Sequence, residues 1–301
     1  MISSNLISIL DLSQKQQLEI FELAQKGDFL FKIYRHALDG KVLSSLFFQP
    51  STRTQFSFQS AFVRLGGQYI GCSDINHTRS GAPYYETIQD LGVIISNYCD
   101  IIVMRTIDAV QTEQLALGAK VPFISAGSGN VEHPTQALID LFTIKNLLGC
   151  LTNLDILIIG TPRQRTINSF IKGMSLWGEN HFHILCQSGI EIPLDVKLKL
   201  GNSKISYYHA WSEIYDSNIA PKISVIYADK IFYETQYHTK FVPNEVDFKS
   251  HFTSDVVIMH PLPRTAELPK FIDCLNGANY FQQAKNGLYV RSALFLKYLL
   301  P

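Results

Sequence analysis

A cluster of polar residues that could bind a phosphate follows the apolar run 42–48. The cluster consists of Ser51, Thr52, Arg53 and Thr54. An amphipathic segment directly behind it predicts a helix, and a helix start offers unpaired backbone N–H groups and the positive end of the dipole. Three hydroxyls and one forked guanidinium at that point can surround a phosphate. The alternative is that Ser51 or Thr52 only caps the helix and that Arg53 is a solvated side chain.

A second group of donors, Arg105, His133 and Gln136, is suited to hold a carbonyl oxygen. Arg105 follows the apolar run 101–104, which places it at the carboxyl end of a predicted parallel strand, where open α/β sheets bind ligands. His133 and Gln136 lie near one face of the start of a predicted helix. Such donors can stabilise the oxygen that becomes negative during acyl transfer. The alternative to carbonyl binding is that Arg105 is simply exposed, that His133 caps the helix and that Gln136 is solvated.

The elements that must position these groups alternate between apolar runs of strand length and helical patterns, which is typical of βα units. The predicted strands are Val42–Phe48, Gln68–Gly71, Ile101–Met104, Pro122–Ser125, Leu154–Gly160, His181–Cys186, Ile205–Tyr208, Ile223–Tyr227 and Asp255–Met259. The predicted helices are Ser13–Phe31, Thr54–Leu65, Tyr85–Ser96, Ala109–Gly118, Pro134–Leu148, Thr166–Leu176, Ala210–Tyr215 and Ala284–Leu300. The fold class is therefore α/β, and the 301 residues suit two domains, each with a mainly parallel sheet flanked by helices.

Composition excludes several classes of function. The 26 basic and 26 acidic residues balance, which argues against a nucleic-acid partner. No run of 18 apolar residues predicts a membrane span, and the N-terminus does not resemble a signal peptide. The five scattered cysteines fit reduced thiols in a cytoplasmic protein. No Gly-x-Gly-x-x-Gly pattern supports a nicotinamide cofactor. His181 and His183 alternate along a predicted strand, and this spacing leaves hydrogen bonding within the sheet and metal binding both open.

Five blocks, in order along nearly the whole chain, resemble the aspartate/ornithine transcarbamoylase family. They are Phe47-Phe48-Gln49-Pro50-Ser51-Thr52-Arg53-Thr54, Ile102-Val103-Met104-Arg105, His133-Pro134-Thr135-Gln136 with Asp140-Leu141-Phe142-Thr143, His260-Pro261-Leu262-Pro263-Arg264, and Tyr280-Phe281-Gln282-Gln283-Ala284. The fourth block resembles the aspartate branch of the family, because the ornithine branch typically carries a cysteine after the corresponding histidine.

The resemblance implies a role for each matching residue. Ser51, Thr52, Arg53 and Thr54 would bind the phosphate of carbamoyl phosphate, and Arg105, His133 and Gln136 would polarise its carbonyl with help from Thr54. The carbonyl groups of Pro261 and Leu262 would accept the carbamoyl NH2, and Arg165 would bind the α-carboxylate of the amino-acid acceptor. Lys230 occupies the position of a second acceptor-binding residue. The acceptor amine would attack directly, so catalysis would rest on placement and charge stabilisation.

The resemblance also implies how the protein is organised. A carbamoyl-phosphate domain would comprise residues 1–132 and 286–301, and an acceptor domain residues 133–285, with the site in the cleft between them. The partners would be carbamoyl phosphate, an amino acid and two further copies of the chain, in a homotrimer with shared active sites. A regulatory or other pathway subunit is left open. No metal or organic cofactor would take part in catalysis, and neither nucleic acid nor a membrane would be a partner.

Two segments depart from the pattern of the aspartate branch. A loop that normally brings a serine and a lysine to the phosphate has Tyr84 at the lysine position, and Arg79 or Ser80 could substitute. An Arg-x-Gln segment that normally contacts the acceptor's side-chain carboxylate reads Lys230-Ile231-Phe232, with Asp229 beside it. An ammonium does not reproduce a forked guanidinium, and a phenyl ring offers no hydrogen bond.

Three interpretations follow from these departures. The chain is an aspartate transcarbamoylase of pyrimidine biosynthesis with unusual loops, a transcarbamoylase for another amine, or a homologue with little activity that is kept for binding or assembly. Asp229 could favour a cationic acceptor.

Overall fold

The computed structural model describes residues 5–74, 86–231 and 240–300. Its strands are β1 (Asn5–Leu6), β2 (Val42–Phe47), β3 (Gln68–Cys72), β4 (Ile101–Thr106), β5 (Phe123–Ser128), β6 (Asp155–Ile159), β7 (His181–Leu185), β8 (Lys204–Tyr208), β9 (Ile223–Ala228) and β10 (Val257–Met259). Its α-helices are α1 (Gln14–Ala24), α2 (Asp28–Tyr34), α3 (Thr52–Arg64), α4 (Ile88–Ile95), α5 (Ala109–Gly118), α6 (Pro134–Leu148), α7 (Arg165–Ser175), α8 (Leu194–Lys197), α9 (Trp211–Asp216), α10 (Glu245–His251) and α11 (Tyr280–Leu299).

The chain divides into two compact units. The first comprises residues 1–139 and 285–301, and the second comprises residues 140–284. The division falls within α6. The sequence had predicted a change of domain at His133, the residue before that helix. The assignment of carbamoyl phosphate to one domain and of the acceptor to the other stays a prediction.

The first unit is built on a five-stranded sheet in the order β1-β5-β4-β2-β3. All four pairings between these strands are parallel. The strands β2, β4 and β5 are almost completely buried, which explains why they appear in the sequence as continuous apolar runs. Helix α11 returns to this unit, where the ring of Phe295 packs edge-on against Phe62 with 4.8 Å between centroids. The short strand β1 was not predicted, because two residues carry no periodic signal.

The second unit contains a separate five-stranded parallel sheet in the order β10-β9-β6-β7-β8. Its core packs leucine and isoleucine side chains of β6 and β9 against aromatic rings, among them Trp211 and Phe248. The predicted α/β class with two parallel sheets is therefore confirmed. In both units the carboxyl ends of neighbouring strands meet at one edge of the sheet, and the loops that leave this edge carry the candidate site residues.

One helix prediction is wrong. The segment 13–31 was predicted as a single helix, but α1 ends at Ala24 and α2 begins at Asp28. Gly27 lies between them as the N-cap of α2 with φ +55°, a positive value that glycine adopts readily and that does not continue a helix. The apolar residues of α2 continue the helical pattern, so periodicity alone did not reveal the break.

None of the helices within these described ranges is long and apolar enough to cross a bilayer.

Candidate active site

The phosphate-binding cluster lies at the start of α3 in the first unit. Helix α3 begins at Thr52, two residues earlier than predicted, so Arg53 and Thr54 belong to its first turn. Ser51 occupies the N-cap position, yet its side chain makes no capping hydrogen bond within the described chain. The side chain of Ser51 therefore does not cap α3, and the Ser51 hydroxyl can serve another role. Arg53 is exposed and Thr54 is buried.

Backbone hydrogen bonds tie this cluster to Arg105. Strands β2 and β4 are neighbours, and Phe47 is the register partner of Arg105. The N–H groups of Phe48 and Gln49 both donate to the carbonyl oxygen of Arg105, at 2.9 and 3.3 Å. The turn into α3 is thereby fixed at the end of β4, so the sheet positions both groups of predicted donors at the same edge.

Arg105 and His133 lie side by side in the first unit. The Nη1 atom of Arg105 is 3.5 Å from Nε2 of His133 and donates to the carbonyl oxygen of Ala126 at 3.3 Å. His133 is 4% exposed and directly precedes α6, where Gln136 is half-buried in the first turn. Three of the predicted carbonyl-binding side chains thus come from the end of β4 and the beginning of α6.

Three neighbouring strands of the second unit bring together the residues predicted to bind the acceptor and those predicted to bind the carbamoyl NH2. Arg165 begins α7 after β6, Lys230 follows β9, and Pro261 and Leu262 follow β10. Gly160 directly follows β6 with φ +154°, and a Cβ atom there would lie 3.2 Å from the carbonyl oxygen of Asp229. A side chain at this position would push the β6–α7 turn away from the end of β9.

Asp229 is a buried carboxylate that directly follows β9 and precedes Lys230. Its side chain accepts hydrogen bonds from the hydroxyl of Thr166 and, at 2.7 Å, from the backbone N–H of Lys230. Burial raises the pKa of Asp229 despite these bonds. Burial likewise lowers the pKa of the Arg165 guanidinium, and the charge of Asp229 opposes that effect. The negative charge of Asp229 therefore offsets part of the positive charge of Arg165, the residue predicted to bind the α-carboxylate of the acceptor.

The loop after β10 is fixed by His260. The backbone N–H of Leu262 donates to Nδ1 of His260 at 2.7 Å, and Nε2 of His260 is 2.9 Å from Glu267. Nδ1 must therefore be the unprotonated nitrogen, and Nε2–H donates to the carboxylate. Leu262 has φ +58°, a left-handed conformation that is uncommon for a residue with a branched side chain. These contacts set the direction of the Pro261 and Leu262 carbonyl groups.

A second buried network supports the same loop. The backbone N–H of His260 donates to the side chain of Gln283, which donates to Asp140 at 2.6 Å. The hydroxyl of Tyr227 also donates to Asp140, at 3.0 Å. Sequence reasoning assigned no role to Asp140, Gln283 or Glu267. Asp140 and Gln283 lie within the quoted blocks, but spacing does not indicate that residues 143 positions apart meet.

The two departures from the family pattern fall largely outside the described residues. Tyr84, Arg79 and Ser80 lie in the range 75–85, and Phe232 lies in the range 232–239. Lys230 is described and is half-buried at the end of β9.

Both parts of the chain match models of one protein family. Residues 4–146 match the carbamoyl-P binding domain of aspartate/ornithine carbamoyltransferase, and residues 152–298 match its Asp/Orn binding domain. The chain belongs to the aspartate/ornithine carbamoyltransferase family. The two matches together span residues 4–298 apart from 147–151, and the resemblance inferred from five sequence blocks is confirmed.

Relatives with the name aspartate carbamoyltransferase catalytic subunit include proteins of two clostridia. The protein of Clostridium kluyveri is 36% identical over 303 residues, covering 98% of this chain and 97% of the relative. That of Clostridium acetobutylicum is 35% identical over 302 residues, with 97% of each chain covered.

Solved structures of aspartate transcarbamoylases share the fold. The catalytic subunit from M. jannaschii superposes with a TM-score of 0.86 at 30% identity, covering 99% of this chain and 98% of that one. The Trypanosoma cruzi enzyme in complex with carbamoyl phosphate and aspartate gives a TM-score of 0.89 at 25% identity, covering 98% and 95%.

Proposed function

We propose that this carbamoyltransferase transfers the carbamoyl group of carbamoyl phosphate to the amine of L-aspartate. The products are N-carbamoyl-L-aspartate and phosphate, as required in pyrimidine biosynthesis. The observation that carries the proposal is the juxtaposition of Arg105 and His133, 3.5 Å apart, at the sheet edge where the N–H groups of Phe48 and Gln49 fix the turn into α3. The relatives with the name aspartate carbamoyltransferase support the choice of acceptor.

The first unit holds carbamoyl phosphate in this proposal. Ser51, Thr52, Arg53 and Thr54 donate hydrogen bonds to the phosphate at the positive end of the α3 dipole. Arg105, His133 and Gln136, assisted by Thr54, hold the carbonyl oxygen, which gains negative charge as the amine attacks. Donors that are already in place stabilise that charge without reorganising, which lowers the barrier to the reaction.

The second unit holds the amino acid. Arg165 binds the α-carboxylate, and Lys230 provides a positive charge for the side-chain carboxylate. The carbonyl groups of Pro261 and Leu262 accept the carbamoyl NH2 and thereby orient the reacting carbon. The amine nitrogen forms a bond to the carbonyl carbon, the bond from that carbon to the phosphate oxygen breaks, and the departing phosphate takes the amine proton. No protein nucleophile takes part, so the rate enhancement comes from placement and charge stabilisation.

A different amine is the second candidate acceptor. Lys230 replaces the forked arginine of the aspartate branch, and the neighbouring carboxylate of Asp229 reduces the net positive charge at this edge of the sheet. Both features weaken the binding of a dicarboxylic acid relative to a neutral or cationic amine. The buried position of Asp229 and its hydrogen bonds to Thr166 and Lys230 favour a structural role for this carboxylate, which supports aspartate as the first candidate.

A product assay separates these candidates. Purified protein is incubated with carbamoyl phosphate and one amine at a time, with L-aspartate first, and phosphate release is followed. We expect turnover with L-aspartate. Turnover only with another amine would replace aspartate by that acceptor. Phosphate release with none of the amines, together with measurable binding of carbamoyl phosphate, would contradict the enzymatic proposal and indicate a homologue kept for binding or assembly.

We further propose a cytoplasmic homotrimer with shared active sites. The support is membership of the aspartate/ornithine carbamoyltransferase family. Sedimentation or light scattering should give three times the 34.0 kDa of the chain. A regulatory subunit would appear as a co-purifying second chain, and a monomeric mass for active protein would contradict the shared-site arrangement.

A further inference from the structure

The amino-terminal edge of the second sheet carries a cluster of ligand-type side chains that the transfer reaction does not use. Asp155 is the first residue of β6, His181 is the first of β7, and His183 lies two residues further along β7 on the same face. The candidate acceptor residues follow the opposite, carboxyl ends of strands in this sheet. A function of this cluster is therefore separate from binding of the acceptor.

We propose that Asp155, His181 and His183 bind one divalent transition-metal ion of the Zn²⁺ type. The ligand atoms of the three side chains all lie within 4.8 Å of one another. Two imidazole nitrogens and one carboxylate oxygen form a donor set suited to Zn²⁺, and a water molecule can complete four-coordination.

The distances from the Asp155 oxygen to the two imidazole nitrogens are close to those of a tetrahedral site. Metal bonds of about 2.0–2.1 Å place neighbouring ligand atoms roughly 3.3–3.4 Å apart. Nδ1 of His181 is 3.5 Å from Oδ1 of Asp155, which is already compatible. Nε2 of His183 is 2.8 Å from the same oxygen, so this hydrogen bond has to lengthen by about half an ångström when a metal replaces the shared proton.

The two rings are also oriented as metal-binding histidines are. Nε2 of His181 is 2.9 Å from the hydroxyl oxygen of Ser206, and Nδ1 of His183 is 3.3 Å from that of Tyr208. Each ring therefore directs one nitrogen toward Asp155 and has a hydrogen-bond partner for the other. Such partners fix the tautomer and the orientation of the ring, and their loss typically weakens metal binding.

Charge and burial allow the site to form. His183 is 2% exposed, and His181 and Asp155 are each about a third exposed, so an ion can enter from solvent. Asp155 supplies a negative charge to an otherwise neutral ligand set. Lys204 is the register partner of His181, but it is exposed, and its flexible chain can keep the ammonium in water. The bound ion would link β6 to β7 and stabilise the second unit.

Metal binding is tested on the full-length protein after removal of metals by a chelator. Equilibrium dialysis against Zn²⁺ alone, followed by elemental analysis, should give one tightly bound ion per chain, and thermal unfolding should shift to higher temperature. Both effects should be lost in His181→Asn and in Asp155→Asn. His183 is left unchanged because it is buried and its substitution could prevent folding; His181 is partly exposed, so His181→Asn tests the site without that risk. His36→Asn is the matched control, because His36 forms an exposed pair with Asp39, at 3.0 Å, and no second histidine joins this pair within the described part of the chain.

Co²⁺ is used as a spectroscopic probe because the five free cysteines could bind metal elsewhere. We expect visible d–d bands without a sulfur charge-transfer band. Three outcomes would overturn the proposal. The first is a thiolate band, and the second is unchanged Zn²⁺ binding in His181→Asn. The third is that the wild type binds no more Zn²⁺ than Asp155→Asn does. In the last case the cluster is a hydrogen-bonded histidine–aspartate group only. The readouts do not depend on carbamoyl transfer, so the outcome is independent of the proposed function.

Discussion

The Nδ1 atom of His260 lies 2.7 Å from the backbone nitrogen of Leu262. This hydrogen bond helps to hold a loop whose two carbonyl groups are proposed to bind the carbamoyl NH2, and the other ring nitrogen of His260 is bonded to Glu267. We therefore propose that His260 is a positioning residue, which acts by fixing the loop.

His260→Ala should lower kcat/KM for carbamoyl transfer by about 100-fold, because a displacement of about 1 Å in a positioning group has that effect. His260→Asn should lose less, since its amide oxygen can still accept the Leu262 N–H. Steady-state kinetics and direct binding of carbamoyl phosphate are measured for both variants. An equal loss in the two variants, or a loss that follows only the fraction of folded protein, would argue for a purely structural role.

Glu267 should make stability depend on acid pH. Burial acts to raise its pKa, but hydrogen bonds from His260 and Thr265 lower it from 4.5 to about 2. A carboxyl group whose pKa is lower in the folded protein stabilises the fold above its unfolded pKa, and the effect disappears as the pH falls toward the folded value. Above about pH 5, the free energy of unfolding of the wild type should exceed that of Glu267→Gln by up to about 3 kcal/mol. This difference should shrink as the pH falls toward about 2.

Urea unfolding at a series of pH values measures this difference. Glu245→Gln is the control, because Glu245 forms an exposed pair with Lys249 and should change the stability little. A difference between wild type and Glu267→Gln that stays constant across the acid range would show that the carboxylate is not held in its charged form.

Asp229→Asn should improve the binding of L-aspartate. The substitution removes a negative charge beside Arg165. Its amide oxygen can still accept from the backbone N–H of Lys230, and its NH2 group can donate to the hydroxyl oxygen of Thr166 in place of the present bond. KM for aspartate should fall by roughly threefold to tenfold, as expected for loss of one partly screened charge. Asp255→Asn, at an exposed position, serves as the control. An increase in KM would instead favour an acceptor that carries a positive charge.

Arg53→Ala should remove binding of carbamoyl phosphate. The loss of a charge-assisted, forked contact to phosphate should weaken affinity by at least about 100-fold. Isothermal titration measures the affinity directly. Arg64→Ala tests the specificity of the effect, because Arg64 is an exposed arginine at the other end of the same helix. Wild-type affinity in Arg53→Ala would remove the phosphate-site assignment.

Restoring the Arg-x-Gln segment should raise aspartate turnover. The double variant Lys230→Arg with Phe232→Gln supplies a forked guanidinium and an amide in place of an ammonium and a phenyl ring. Its kcat/KM for aspartate is compared with that of Lys222→Arg, an exposed position before β9. No gain would mean that the acceptor is not aspartate or that the loop containing Tyr84 limits the reaction.

The sequence was sufficient where a feature depends on neighbouring residues. The buried parallel strands were recognisable because both faces are covered, which produces continuous apolar runs. The donors Ser51, Thr52, Arg53 and Thr54 were recognisable because a strand, a turn and a helix start follow one another directly. The break between α1 and α2 was missed because the apolar pattern continues across Gly27, whose φ is not visible in periodicity.

Only the tertiary structure decided which distant residues meet. The contact of Arg105 with His133 depends on the order of strands in the first sheet, and that of Asp140 with Gln283 joins residues 143 positions apart. The grouping of Asp155, His181 and His183 likewise requires β6 and β7 to be neighbours in register. The sequence alone determined the family, the local elements and the types of donor groups, because these depend on adjacent residues. Strand order and register determined which donors share a site, because they bring distant residues within hydrogen-bonding distance.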